Sequence, residues 1–127
     1  YDAFERLLGE IQTAYAAEDL AALRARVTPE MLSYLSEELS ENLSRGVVAA
    51  VSGVKLLQGD LAEAWREGDR EYATVAMRYE MVDQLLNRTT REIVEGEPTP
   101  VEVTELWTFV RVRGGQWLLS AIQQVES

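Results

Sequence analysis

Up to Gly46 the apolar residues recur at helical spacing; beyond it they tend to alternate. Phe4, Leu7, Leu8, Ile11, Ala14 and Tyr15 form one stripe of the i, i+3, i+4, i+7 kind, with Glu5, Arg6, Glu10 and Gln12 mostly off it. Asp19 is placed to cap a short second helix whose Leu20, Leu23 and Val27 point inward. Thr28-Pro29-Glu30 supplies a hydroxyl cap followed by proline at the first helical position. Met31, Leu32, Leu35, Leu39 and Leu43 then trace a third helix that Gly46 can end.

From Val47 to Trp65 the chain is rich in valine and leucine and broken by Gly53 and Gly59, which predicts a bent or bulged strand. A turn at Glu67-Gly68-Asp69 leads into a long strand from Tyr72 to Leu86. Its Ala73, Val75, Met77, Tyr79 and Met81 share one face, and Thr74, Arg78 and Glu80 the other. Asn87 to Thr90 reads as a hairpin tip, Arg91 to Val94 as a short return, and Gly96 to Pro100 as a loop. Val101 to Arg113 is a further strand carrying Trp107 and Phe109 on one face. Arg113-Gly114-Gly115-Gln116 is a tight turn, and Trp117 to Val125 the last strand. Helices first and strands afterwards predict an α+β fold, with about three N-terminal helices on one face of a four-stranded, strongly bent antiparallel sheet.

Composition narrows the chemistry. At 127 residues the chain fits one domain, helices over about 2–45 and sheet over about 47–126. Cysteine and histidine are both absent, which removes disulfides, thiolate metal sites, the commonest zinc ligand and the commonest general base. No cofactor or metal is expected. A net charge of −10 repels nucleic acid and anionic membrane surfaces, so nucleic acid is not expected as a partner. The apolar stretches fall far short of the ~20 residues a membrane-spanning helix needs.

The closing segment is the most distinctive. Glu105-Leu106-Trp107-Thr108-Phe109-Val110-Arg111, a Gly-Gly turn and Trp117-Leu118-Leu119-Ser120-Ala121-Ile122-Gln123-Gln124 resemble the Tim forty-four-like family. That family comprises the C-terminal domain of the mitochondrial import-motor anchor and its bacterial relatives. Tyr15 to Leu20, Leu23, Thr28-Pro29-Glu30 and Val75 to Tyr79 match as well, so the resemblance covers nearly the whole chain, with an ending most like alphaproteobacterial members. It implies a cone-like fold similar to nuclear transport factor two-like domains, with an apolar hollow between helices and sheet. It also implies a non-catalytic lipid- or protein-binding module at an inner membrane, with a lipid or acyl chain, or a membrane protein, as partner. The chain starts at Tyr1 rather than methionine. Membrane attachment is therefore expected through an upstream segment, with the domain on the cytoplasmic side.

Three groups of residues are candidates for function. Met77, Tyr79, Trp107 and Phe109 are candidate lining of the hollow, the alternative being plain core under the helices. Arg88, Arg91, Arg111 and Arg113 are candidate contacts to lipid phosphates or acidic partner residues, the alternative being a solvated, ion-paired face. Glu105 shares the Trp107 face and is expected at the sheet rim, because carboxylates are seldom fully buried. The competing functional class is a small enzyme of the ketosteroid-isomerase-like type, with Glu105 or Asp83 as acid and Tyr79 or Tyr15 beside it in the hollow. An acid buried within hydrogen-bond reach of a tyrosine is the observation that would favour it.

Overall fold

The computed structural model describes residues 2–125. Three helices come first: α1 (Asp2–Ala16), α2 (Leu20–Arg24) and α3 (Pro29–Arg45). Five strands follow: β1 (Val47–Glu67), β2 (Arg70–Asn87), β3 (Ile93–Glu95), β4 (Val101–Val112) and β5 (Leu118–Gln124). The fold is α+β, with the helices packed on a curled antiparallel sheet.

The helix signals act as their chemistry requires. The Asp19 carboxylate accepts from the Ala22 amide at 3.1 Å, and the Thr28 hydroxyl accepts from the Met31 amide at 3.3 Å. Gly46 ends α3 in the left-handed region, at φ 74°, where a side chain is disfavoured. The apolar stripes overshoot in two places. Leu20 is 43% exposed because it opens α2, and Leu43 is 61% exposed near the C-terminal end of α3.

The strands run in the order β1-β2-β4-β5, with the short β3 pairing beside β4 on β2. β3 begins at Ile93, two residues later than the expected return, because Arg91 takes a positive φ at the hairpin tip. Three register shifts, after Ser52, Leu56 and Leu61, bend the long β1 around the helices, the first at Gly53 with φ 62°. The last strand starts at Leu118 rather than Trp117, and the expected end of the sheet at 126 lies outside the described residues.

The two faces of the sheet differ as the alternation predicts. Val75, Met77, Tyr79 and Met81 of β2 and Trp107 and Phe109 of β4 pack in one core with Leu8, Ile11, Leu23, Leu35 and Leu39, and Ala73 on the same face of β2 is buried too. The outer edge of β5 is closed by the chain before α3. The Thr28 amide donates to Leu119 O and the Leu119 amide to Arg26 O, each at 2.9 Å. Among the described strands β1 pairs with β2 alone, and none joins its outer edge at Val51 to Val54.

Candidate functional site

The four candidate lining residues come together, but as packed core. Met77, Trp107 and Phe109 are 0% exposed and Tyr79 1%. Tyr79 meets Trp107 edge-on at 6.4 Å between ring centroids, and Phe4 of α1 stacks on Phe109 at 4.5 Å. None of the four lines the three surface cavities described below.

Glu105 corrects the expectation of a rim carboxylate: it is 6% exposed. The reason is a full set of donors. The Tyr79 hydroxyl donates to its Oε1 at 2.6 Å and the Trp107 indole N–H to the same oxygen at 2.9 Å. The Gln124 amide donates to Oε2, and Gln12 of α1 donates to the Tyr79 oxygen at 3.3 Å. Strand register creates this set, since Glu105 faces Met77 on β2 and Gln124 on β5. Burial, then the bond to Glu105, raises the Tyr79 hydroxyl far above the usual tyrosine range. The acid–tyrosine pair is thus present, but both members are enclosed and their hydrogen-bonding capacity is taken up by neighbours.

The second acid–tyrosine combination stands apart from it. Asp83 and Tyr15 line an open notch of about 470 Å³ between α3, β1, β2 and β3, together with Glu38, Glu41 and Glu95. The Tyr15 hydroxyl donates to Glu38 at 3.1 Å. Desolvation raises the Asp83 carboxyl above its ordinary value even though the side chain reaches solvent. No bond between Asp83 and Tyr15 forms in this notch.

The four candidate arginines do not form one patch. Arg88 follows the end of β2, whereas Arg111 pairs across from Glu71 at its beginning. Seventeen positions separate Glu71 from Arg88, roughly 55 Å of strand contour at about 3.3 Å per residue. Arg88 donates two bonds of 2.8 Å to the Glu18 carboxylate and one of 2.9 Å to Val47 O, tying the α1–α2 turn to the start of β1. That pairing holds the Glu18 carboxyl below the usual carboxylate range. Arg111 bonds Glu71 at 3.2 Å and lies over the Trp117 ring at 4.3 Å from its centroid. These two are structural clasps; Arg91 and Arg113 sit at opposite turns.

What the surface offers instead is open grooves. A broad trough of about 630 Å³ runs along the outer side of α1, bounded by α2 and by Val51 to Val54 of β1. Its lining is mostly small or charged, with Gly9, Ala17, Glu5, Glu10 and Arg26 among it, and lies largely off the apolar stripe, which is why sequence reasoning missed it. A second, more apolar groove of about 470 Å³ lies on the β4–β5 hairpin over Val110, Val112 and Leu118, beside Arg70. Among the described residues no helix is long and apolar enough to cross a membrane, and no three potential metal ligands gather.

Comparison with curated protein sequences returns no match. Among solved structures, the intermembrane space region of the chloroplast protein ARC6 shares the fold. The TM-score is 0.63 and the sequence identity 13%, over 97% of this chain and 94% of that one. The family model described as the Tim44-like domain matches residues 1–124. With the helical opening, the bent β1–β2 hairpin and the Trp107 strand all inside that match, the chain belongs to the Tim44-like family.

Proposed function

We propose that this domain is a non-catalytic docking module of a membrane-associated protein, binding protein partners on its surface rather than a lipid in an interior hollow. One observation carries this choice. The space between helices and sheet is filled by Met77, Tyr79, Trp107 and Phe109, none more than 1% exposed, whereas the open volume lies in surface grooves. An enclosed apolar cavity is what an acyl chain needs, and an open groove is what a polypeptide needs. Family membership supports the membrane setting; an anchor outside this domain and a place on the cytoplasmic side of an inner membrane are part of the proposal. Native mass spectrometry of the domain from its host, joined to photo-crosslinking from Gly9 and Val112, tests the reading. The expected result is lipid-free protein with crosslinks to polypeptide. A stoichiometric co-purified lipid with no crosslinks would overturn it.

The Tyr79–Glu105 bond of 2.6 Å favours a second reading, an isomerase-like enzyme. A substrate would have to displace Gln124 and part the helices from the sheet to reach it. Docking is therefore preferred, and turnover of a small ketone abolished by Tyr79→Phe would reverse the preference.

A further inference from the structure

We infer that the trough along α1 receives an extended, basic segment of a partner protein, which adds to the sheet as a strand on the open edge of β1. The inference rests on the docking reading and names its site and occupant.

The first ground is hydrogen bonding. A sheet edge leaves a row of backbone donors and acceptors without strand partners, and an incoming extended chain satisfies them. This sheet has closed one edge, at β5, with Arg26 to Thr28. At β1 it has not. Four consecutive residues, Val51 to Val54, line the trough. Side chains alternate along a strand, so four neighbours reach one trough where the strand presents its edge to it. The register jump from Ser52 opposite Val82 to Lys55 opposite Glu80 leaves Gly53 and Val54 without paired residues on β2.

The second ground is the opposite wall. Gly9 and Thr13 follow one another at successive turns of α1, Ala17 lies just past its end, and all three line the trough. Glycine in mid-helix is unfavourable relative to alanine. Here nothing explains it by crowding, since a Cβ on Gly9 would meet no atom within 4 Å. The missing side chain leaves room beside the strand edge, as a peptide lying between helix and edge strand requires.

Charge selects the occupant. Arg6 and Arg26 both lie on Glu10, at 3.9 and 3.2 Å. Glu5 and Asp19 make no ion pair among the described residues, and the whole chain carries −10. Lysine and arginine on the incoming segment would be steered to this rim and held there, while its small side chains fit against Gly9 and Ala17.

Selection of short random peptides displayed against the 127-residue domain tests this, with amide exchange of the complex and two variants as readouts. The expected outcome is enrichment of basic peptides that protect amides between Val51 and Val54. Gly9→Arg, which fills and charges the trough on a solvent-facing helix side, should weaken them about tenfold or more, while Val112→Arg in the other groove should not. A Gly9→Arg protein that melts no lower than the parent ties the loss to the trough. Peptides that bind and protect the β4–β5 hairpin overturn the inference and leave the docking reading standing. Failure to select any peptide overturns both.

Discussion

Glu105 is the residue on which the interior turns. Its three donors come from Tyr79, Trp107 and Gln124, and two of those side chains have no exposed surface to speak of. Glu105→Ala strands the buried indole N–H and loosens Tyr79, so it should cost about 3 kcal/mol in urea denaturation. Trp107→Ala should cost ~3–5 kcal/mol by leaving a large cavity between β4 and the helices. The Tyr79 hydroxyl adds a pH signature. Its folded value is raised, so its contribution is intact below the unfolded tyrosine value near 10.0 and is lost as pH rises beyond it, where only the unfolded chain ionises. Alkaline denaturation should therefore be shallower in Tyr79→Phe, measured as stability against pH. The face that Glu105 occupies was legible from its distance to Trp107. Its burial was not, because the donors arrive from positions 26 and 19 residues away and only strand register brings them there.

Among the elements, the helices were the most legible part of the chain. Their caps are local chemistry: Asp19, Thr28 with Pro29, and Gly46 act within a turn of where they stand. Strand ends moved by a residue or two, because pairing partners rather than local preference decide where a ladder stops. The split of the arginines between two sheet ends was hidden for a related reason. Arg88 and Arg111 are both near turns in sequence, and only the length of β2 separates them. Two glycines give opposite expectations. Gly9→Ala sits in a helix with open space and should stabilise by about 0.5–1 kcal/mol. Gly46→Ala forces a side chain into φ 74° at the α3 terminus and should destabilise by about 1 kcal/mol. Thermal melts of the two variants should move in opposite directions.

For the whole molecule, charge and shape set the membrane behaviour. The apolar faces of α1 and α3 are spent on the sheet, and a net charge of −10 opposes an anionic surface. The arginines that could have offset it are divided between two ends, and two of them are committed to Glu18 and Glu71. The isolated domain should remain in the supernatant with anionic vesicles at physiological salt in a co-sedimentation assay. Salt-sensitive pelleting would move the proposal to a direct headgroup site. The clasp between Glu18 and Arg88 reaches across 70 positions, and Gln12 meets Tyr79 across 67. During synthesis the three helices leave the ribosome well before the strands that cover their apolar stripes. Leu119, which packs into the same core and anchors Thr28, arrives only with β5, the last strand of the domain. The nascent domain therefore carries uncovered apolar helices until its closing strand is made, and that strand sets the moment at which the domain becomes safe from aggregation.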